Sequence, residues 1–428
     1  MKTIIAGGRV IDAAQKLDGP HDVVISGKVI EKITAPGRGR GGSKEKFRLI
    51  DAKDCVVSPG LIDMHVHLRE PGYEGKETIY TGSQAAVAGG FTSIVCMANT
   101  NPVNDNQAVT GYILGRAKEA LCNVYPVGAT TIGLADQNMA DLGELKAAGV
   151  VAYSDDGCCV MNAEMQRRIF EMAGQYDMPV LVHAEDANLA ADGAMHEGFT
   201  STELALTGIP AAAEEVMVAR DILLARLAGS RLHIQHVSTA GAVELIRWAK
   251  KRKIRVTCEV TPHHFTLIDE DVGDYSTTCK VSPPLRSAAD RTALQKAMAD
   301  GVIDAIATDH APHGILLKQI EFDQAANGMI GLETALGLTL LLVRTKKLSL
   351  HRALEMLTVK PAEILRLNAG SLAPGRPADV CVFNPDHTFV YNEEVIRSKS
   401  KNSPFVGWEL PGKVYFTLVD GRVVYTGS

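Results

Sequence analysis

Histidines and aspartates stand at the ends of many apolar runs in this sequence. The first run ends with His65 and His67, and later runs end with His183, His236 and Asp309. Imidazole and carboxylate groups bind zinc in proteins, with manganese, cobalt and iron as weaker candidates. A single histidine in an apolar strand is more often a hydrogen-bonded core residue. The same placement at the ends of successive strands is hard to explain by independent core residues, so the pattern predicts a catalytic metal centre.

The number of these residues predicts two metal ions. Alternation along a strand places residues i and i+2 on one side, so both imidazoles of the HVH segment point the same way. Asp155 and Asp156 end the fourth run, and either could join the site. Two cations roughly 3.5–4 Å apart, bridged by a carboxylate and a hydroxide, would use all these groups, polarise a carbonyl and lower the pKa of bound water to about 7. A structural zinc site would instead use cysteine ligands in a closed site.

Eight β-branched, apolar runs alternate with segments of helical periodicity. The runs are CVVSPGLIDMHVH, FTSIVCMANT, NVYPVGATT, GVVAYSDDG, PVLVHAED, RLHIQHVS, IRVTCEVTPHH and VIDAIATDHAPH. This alternation predicts a parallel sheet, and eight repeats favour closure into a (β/α)₈ barrel with its catalytic groups at the carboxyl ends of the strands. An open doubly wound sheet would usually carry a glycine-rich turn after its first strand, and the sequence has none there.

The two ends of the chain resemble each other. TIIAGGRVID near the start and FTLVDGRVVYTG near the end both read as strand, glycine turn and strand. Each is too small to be stable alone, so we expect them to join in one small β-sandwich domain. The predicted organisation is therefore residues 1–56 and 369–428 in the β-sandwich and residues 57–368 in a metal-binding barrel.

Composition excludes several classes of protein. With 428 residues, 46% of them hydrophobic, the chain has an ordinary globular composition, and a net charge of −6 argues against binding to nucleic acid or membrane surfaces. The opening MKTIIAGGRVID reads as a strand and not as a signal peptide, and the apolar run from Leu336 to Val343 is too short to span a bilayer. The eight cysteines are scattered without a CxxC pair. We expect a soluble protein of the cytoplasm.

The segment SPGLIDMHVHLREPG, from Ser58 to Gly72, resembles the amidohydrolase superfamily and, more narrowly, the class I dihydroorotases. The resemblance continues through CMANTNP, YSDDG, LVHAED, HIQHVS, VTPHH, SPPLR, ATDHAPH and GRPADV, so it covers essentially the whole chain in family order. It implies two zinc ions per subunit. The ligands that it implies are His65 and His67 for one zinc, His183 and His236 for the second, Asp156 as the bridge, and Asp309 as both a ligand and the general acid–base.

The resemblance also implies a site for a substrate carboxylate. Its contacts would be Arg69, Asn99 and His313, with His67, Ser282, Asn327 and Gly328 completing the substrate pocket. The chain departs from the family at Ser282, where asparagine is common, and at Asn327, where an aromatic residue is common. The segment GILLKQIEFDQ after His313 is also more apolar than usual, as expected of a lid or of a surface for a partner subunit.

These features predict a zinc-dependent dihydroorotase of pyrimidine biosynthesis that interconverts N-carbamoyl-L-aspartate and L-dihydroorotate. Hydantoinase- and allantoinase-like relatives usually bridge their metals with a carboxylated lysine near the fourth strand, where GVVAYSDDG has aspartates and no lysine. Two alternatives remain: a cyclic amidohydrolase of that other type, or a non-catalytic homologue serving as a subunit of an aspartate carbamoyltransferase complex. The second is disfavoured because all six expected ligands are present. A homodimer, or an active enzyme within such a complex, is compatible with the same sequence.

Overall fold

The computed structural model describes residues 2–38 and 47–427. The strands in these ranges are β1 Lys2–Asp12, β2 Leu17–Ser26, β3 Val29–Thr34, β4 Phe47–Asp51, β5 Val56–Pro59, β6 Leu61–Val66, β7 Phe91–Cys96, β8 Asn123–Gly128, β9 Ala152–Tyr153, β10 Pro179–Val182, β11 Met195–His196, β12 Gly208–Ile209, β13 Arg231–Ile234, β14 Val256–Val260, β15 Ala305–Ile306, β16 Val380–Val390, β17 Glu409–Val419 and β18 Arg422–Thr426. The helices are α1 Ile79–Ala88, α2 Gln107–Ala117, α3 Leu142–Ala148, α4 Ala163–Gln175, α5 Ala187–Ala190, α6 Phe199–Glu203, α7 Ala212–Ala228, α8 Ala240–Lys251, α9 Pro262–Thr266, α10 Ala288–Ala299, α11 Ala335–Arg344, α12 Leu350–Leu357 and α13 Val359–Leu365.

Eight parallel strands form the predicted barrel. Their order is β15, β14, β13, β10, β9, β8, β7, β6, which is the order of the chain, and helices separate successive strands. A parallel bridge between Val66 and His310 brings the segment after β15 against the first barrel strand. Asp63 strengthens this closure by accepting hydrogen bonds from the Thr308 amide, at 3.1 Å, and from the Thr308 hydroxyl. The prediction of a (β/α)₈ barrel is confirmed.

Both ends of the chain join in one sheet, as predicted. Its order is β18, β17, β16, β5, β1, β2, β3, with β4 parallel to β1. Side chains from distant strands, among them Ile30 of β3 and Leu418 of β17, share one hydrophobic cluster. Lys28 beside β3 forms an ion pair with Asp420 beside β17, at 2.9 Å. The far strands of the sheet therefore meet, as the two layers of a β-sandwich do.

The floor of the barrel is apolar. Side chains from six barrel strands (Met64, Val95, Val127, Ala152, Leu181 and Ala305) pack in one cluster with Ile364 and Leu365 of α13. Side chains alternate along a strand, so residues separated by an even number share a face. On four of these strands and the segments that follow them, the inward face continues from Val95 to Asn99, from Ala152 to Asp156, from Leu181 to His183 and from Ala305 to Asp309. The same inward face is therefore hydrophobic at the floor and polar at the carboxyl ends of the strands.

Two predicted strands are divided differently in the structure. The run CVVSPGLIDMHVH splits at Gly60 into β5, in the terminal sheet, and β6, in the barrel, so the predicted boundary between residues 56 and 57 falls within β5. At Gly60 a Cβ atom would lie 2.0 Å from the Thr92 hydroxyl, so the close approach requires glycine. The run ending in VTPHH also stops early. His263 and His264 lie in α9, because Thr261 caps that helix and Pro262 opens it.

The eight cysteines are unpaired, and Cys96, Cys122, Cys258 and Cys381 are buried as their apolar surroundings predict. In the part of the chain that the structure covers, every helix is too short or too polar to cross a bilayer.

Candidate metal centre and substrate pocket

The residues predicted for the site meet in one cavity at the carboxyl ends of the barrel strands. Its volume is about 270 Å³. It is lined by His67, Arg69, Asn99, Asp156, Gly157, His183, Glu185, His236, Ser282, Asp309, Ala311, His313, Asn327 and Gly328. His65 lies beneath this lining, fully buried. Except for Asp155, the structure therefore brings together the residues that the sequence nominated.

Two histidines and two aspartates form the first group in this cavity. The Nε2 atom of His65 lies 3.3 Å from Asp156 Oδ1 and 3.5 Å from Asp309 Oδ1. His67 Nε2 lies 3.4 Å from Asp156 Oδ2 and 2.9 Å from Asp309 Oδ1. The side chains of His65, His67 and Asp156 each offer one ligand atom, all within 4.8 Å of one another. Their nitrogen and oxygen atoms converge as ligands of one cation do.

A second group shares Asp156 with the first. His183 Nδ1 and His236 Nε2 lie 2.9 Å apart, and they lie 3.9 and 3.6 Å from Asp156 Oδ1. These three side chains also place one ligand atom each within 4.8 Å of the others. Asp156 belongs to both groups and lies between them, where a bridging carboxylate is expected.

Hydrogen bonds behind the first group fix its two imidazoles. His65 Nδ1 lies 2.8 Å from Glu259 Oε1, and His67 Nδ1 lies 2.9 Å from Asn99 Oδ1. An ionised carboxylate only accepts, so His65 donates through Nδ1, and its Nε2 is the ring nitrogen that faces the cavity and would coordinate a metal. Donation from His67 to the Asn99 carbonyl has the same effect. Gln235 Nε2 also lies 3.2 Å from His65 Nδ1. Because His65 Nδ1 carries a proton, this contact places two N–H donors side by side.

Three residues of the site have a left-handed backbone, with φ of 62° at Arg69, 32° at His236 and 48° at Asp309. Such a conformation costs a non-glycine residue of order 1–3 kcal/mol and is concentrated at functional sites. At His236 its consequence is visible. His233 and Gln235 contact Glu259 and His65 from the inward face, so regular alternation would turn His236 away. The positive φ breaks that alternation and brings His236 into the cavity.

The structure separates the roles of the two adjacent aspartates. Asp155 turns away from the histidines and accepts hydrogen bonds from the amides of Thr130 and Thr131, at 2.6 and 3.0 Å, and from the Thr131 hydroxyl. It fixes the loop after β8. Only Asp156 faces both histidine pairs.

The electrostatic balance of the site favours a bound cation. Burial disfavours the charged form of His65, but the facing carboxylates of Asp156 and Asp309 raise its pKa well above the usual value. Burial likewise disfavours ionisation of Asp156 and Asp309, yet the charge of His65 and the contacts with the other imidazoles lower both carboxyl pKa values. The carboxylates therefore stay charged and require positive charge beside them.

Two buried atoms indicate how that positive charge would be supplied. His65 Nε2 and Asp156 Oδ1 are buried and form no hydrogen bond with any residue that the structure describes. Such unsatisfied atoms are rare in folded proteins. Metal coordination would satisfy both, and this set of imidazole nitrogens and carboxylate oxygens suits zinc. The residues present therefore fit a pair of metal ions.

Arg69 and His313 lie beside the two groups, and we call these two residues the cationic wall. Arg69 is partly buried, and its Nε donates to the Pro312 carbonyl at 3.3 Å; in the described ranges it forms no ion pair with Glu70 or Glu74. His313 Nε2 lies 2.8 Å from the Asn327 carbonyl and 3.2 Å from Arg69 Nη2. These two contacts are alternatives, because one ring nitrogen either donates or accepts. Donation to Asn327 leaves that end of the guanidinium free for a ligand.

The cavity also contains a carboxylate that the sequence analysis did not nominate. Glu185 lines the cavity, and the Ser282 hydroxyl donates to it in a long contact of 3.4 Å. Burial opposes its ionisation, but His183 lowers the pKa of Glu185 overall. Glu185 follows His183 by two residues, so the spacing rule used for HVH identifies it. Glu259 was also missed, although an acidic residue within the apolar run VTCEV is itself a signal.

The pattern of the amidohydrolase family matches residues 56–424 of this chain. Among curated relatives, the dihydroorotase of Syntrophus aciditrophicus is 54% identical over 426 residues, covering 99% of each chain. The dihydroorotase of Geotalea daltonii is 51% identical over 426 residues, again covering 99% of each chain. Among solved structures, the L-hydantoinase (dihydropyrimidinase) of Arthrobacter aurescens superposes with a TM-score of 0.87 at 26% identity, covering 99% of this chain and 96% of that chain. The dihydropyrimidinase of Brevibacillus agri has a TM-score of 0.85 at 24% identity, covering 100% of this chain and 95% of that chain, and shows the same fold.

Proposed function

We propose, from the premise that this chain belongs to the amidohydrolase family and within it to the dihydroorotases, that it catalyses the reversible cyclisation of N-carbamoyl-L-aspartate to L-dihydroorotate in pyrimidine biosynthesis. One observation carries the proposal: a partly buried arginine and a histidine with a lowered pKa lie beside two converging histidine–aspartate groups in one cavity. A cyclic amide that carries a carboxylate matches both parts. The test is an assay of purified protein with dihydroorotate and with N-carbamoyl-L-aspartate, with and without a chelator.

The cationic wall would hold the substrate carboxylate. The planar guanidinium of Arg69 matches a carboxylate bidentately, and the amide of Asn99 would add a donor. Burial and the nearby charge of Arg69 lower the pKa of His313 to about 3, so this imidazole acts as a neutral hydrogen-bonding group. Gly328 and the main chain of Asn327 would border the ring, since both line the cavity.

Asp309 would transfer the proton. In the hydrolytic direction a water molecule attacks the ring amide carbonyl, Asp309 accepts the proton that this water loses, and it delivers the proton to the amide nitrogen as the C–N bond breaks. Cyclisation is the reverse of these steps. The carboxylate can take this role because it is ionised and faces the cavity beside His67, with its Oδ1 at 2.9 Å from His67 Nε2.

We infer that the two groups would hold two zinc ions, with His65 and His67 on one, His183 and His236 on the other, Asp156 shared between them, and Asp309 beside the first. Bound zinc would polarise the amide carbonyl and lower the pKa of water. The residues themselves position the ligand atoms and exclude bulk solvent from the floor of the cavity.

Replacing Glu259 by glutamine should weaken zinc binding. Glu259 is fully buried and accepts from His65 at 2.8 Å and from His233 at 3.1 Å. Burial opposes its ionisation, but the two imidazoles lower its pKa to about 2, so it is charged. Loss of such a carboxylate typically lowers metal affinity about 10- to 100-fold. Competition with a zinc-binding dye measures this directly, and an affinity within about twofold of the unaltered protein would contradict the role.

Replacing Arg69 by alanine should raise KM for dihydroorotate about 10- to 100-fold, because hydrogen bonds to a charged group are worth about 1.5–3 kcal/mol. The zinc content should stay the same, since Arg69 is not among the predicted ligands. Arg69→Lys retains the charge without the planar fork and should recover part of the loss. Steady-state kinetics check this prediction. An unchanged KM in Arg69→Ala would remove Arg69 from the carboxylate site.

A hydantoinase-like activity is the second candidate, favoured by the likeness in fold to the L-hydantoinase of Arthrobacter aurescens. It fits less well, because Asp156 stands where a carboxylated lysine would be expected and because hydantoin brings no carboxylate to Arg69. Turnover of dihydroorotate, allantoin and hydantoin under identical conditions separates the two. The non-catalytic subunit is disfavoured because all the predicted ligands converge.

The chain is expected to act in the cytoplasm, and its eight unpaired thiols agree with a reducing compartment. The exposed apolar residues Ile315, Leu316 and Ile320, on the loop between His313 and Asn327, would suit a partner subunit, either a second copy or an aspartate carbamoyltransferase. Size-exclusion chromatography of the chain alone, and together with the transcarbamoylase, tests both assemblies.

A further inference from the structure

Residues 314–328 form a long loop that leaves the barrel after His313 and returns to the cavity at Asn327 and Gly328. Its outer side is apolar and exposed, with Ile315 65% and Leu316 81% accessible. These side chains gain little from burial, so they do not hold the loop in place. Apart from a short 3₁₀ helix at Ile315–Leu317 the loop contains no helix or strand, and long loops of this kind are uncommon in compact domains and are usually functional. Its inner side must therefore supply the contacts that order it.

Two kinds of inner contact hold the loop: Phe322, 4% exposed, packs in the main hydrophobic core, and the ammonium group of Lys318 binds main-chain carbonyls. Lys318 is only 5% exposed, and its Nζ donates to three backbone carbonyls: Thr277 at 2.9 Å, Lys280 at 3.2 Å and Ala326 at 2.6 Å. An ammonium has three N–H donors, so all three are satisfied. Lys318 forms no ion pair within residues 2–38 and 47–427. A buried cation without a counter-ion is unfavourable, and burial lowers the pKa of Lys318 to about 7.

A second lysine makes the reciprocal connection. Lys280 lies on the segment after β14, and its Nζ donates to the Asp323 carbonyl at 2.7 Å. The Gly328 amide donates to the Lys280 carbonyl at 2.9 Å. Lys318 thus binds two main-chain carbonyls of the loop that contains Lys280, and Lys280 binds one main-chain carbonyl of the loop that contains Lys318. We call Lys318, Lys280 and the carbonyls they contact the lysine clasp.

The lysine clasp ends at the cationic wall of the cavity. Ala326, whose carbonyl binds Lys318, directly precedes Asn327, whose carbonyl lies 2.8 Å from His313 Nε2. Gly328, bound to Lys280, lines the cavity with a φ of 126°. A Cβ at this position would lie 2.6 Å from the Cβ of Ala311, so the backbone approaches that wall closely. A shift of the loop would therefore displace the Asn327 carbonyl from His313. It would also change whether His313 Nε2 contacts Asn327 or Arg69.

We propose that Lys318 is a positioning residue for substrate binding: its ammonium fixes the loop of residues 314–328 so that Asn327, Gly328 and His313 are held in the geometry that receives the substrate. This inference rests on the proposed function for the identity of the substrate. The ordering of the loop by Lys318 is independent of it.

The test compares Lys318→Met with Gln319→Met. Methionine keeps an unbranched apolar stem but removes all three donors of Lys318, whereas Gln319 is exposed on the same loop and lies outside the lysine clasp. In Lys318→Met, amide hydrogen exchange within residues 314–328 should quicken roughly 10- to 100-fold, as expected for the loss of hydrogen bonds from a charged group. The KM for dihydroorotate should rise about 10-fold while kcat stays within about threefold, the signature of lost substrate binding. Gln319→Met should leave both quantities unchanged.

Unchanged exchange and an unchanged KM in Lys318→Met would overturn the proposal. A lower melting temperature with KM and loop exchange unaltered would also overturn it, because that pattern marks a purely structural residue. If Lys318→Met fails to fold, Lys280→Met tests the clasp from the other loop, with the same expected direction in both readouts. If the unaltered protein does not turn over dihydroorotate, the proposed function fails, and the exchange measurement still decides whether Lys318 orders the loop.

Discussion

Asp309→Asn should lower kcat for dihydroorotate by roughly 10³-fold, within the 10²- to 10⁴-fold range typical of a general acid–base. Asparagine has nearly the same shape but cannot accept and return a proton. In the structure Asp309 Oδ1 lies 2.9 Å from His67 Nε2 and faces the cavity. Steady-state kinetics in both directions of the reaction measure the effect, and cyclisation should suffer as much as hydrolysis.

Zinc content distinguishes a lost proton carrier from a lost metal site. The Asp309→Asn protein should retain most of its zinc, because His65, His67 and Asp156 still converge without it. KM should change little. A kcat within a few-fold of the unaltered protein would refute the role of Asp309, and a complete loss of zinc would make it mainly a ligand.

Asp156→Ala should abolish both metal binding and turnover. Among the residues that the structure describes, Asp156 is the one carboxylate shared by the two histidine groups, and its Oδ1 lies 3.3 Å from His65 Nε2 and 3.6 Å from His236 Nε2. Without it, two pairs of imidazoles face each other with no bridging charge. The rate should fall by more than about 10³-fold, since the proposed chemistry depends on metal activation of water, whose pKa a bound metal would lower to about 7. Elemental analysis and an activity assay on the same sample check both parts.

Asp155→Asn is the matched control for this prediction. The neighbouring carboxylate is also buried, but it binds the amides of Thr130 and Thr131 and does not face the histidines. This variant should lose thermal stability while keeping its zinc and a measurable rate. The reverse outcome, with metal lost from Asp155→Asn and kept in Asp156→Ala, would show that the bridging position had been assigned to the wrong aspartate.

The predicted barrel and most of the site followed from one regularity of parallel sheets. Apolar runs that end in histidine or aspartate identified His67, His183 and Asp309, because the carboxyl ends of all barrel strands meet at one rim. The resemblance to a known family added Arg69 and Asn99, which spacing alone leaves open. Pairing of both chain ends was readable because TIIAGGRVID and FTLVDGRVVYTG share the same strand–turn–strand pattern.

Features that depend on backbone detail were not predictable in this way. Alternation gives no reason for the adjacent residues Gln235 and His236 both to face the barrel interior, since the cause is a positive φ at His236. The sequence could not choose between Asp155 and Asp156, because the choice depends on which carboxylate the amides after β8 capture. The role of Lys318 was hidden because its partners are main-chain carbonyls from another loop, and carbonyls have no sequence signature.

Anomalous diffraction from zinc-loaded crystals tests the central claim most directly. The account predicts two peaks in the cavity, one beside His65 and His67 and one beside His183 and His236, with Asp156 between them and ligand distances of about 2.0–2.2 Å. An empty cavity, or zinc bound only elsewhere on the chain, would contradict it.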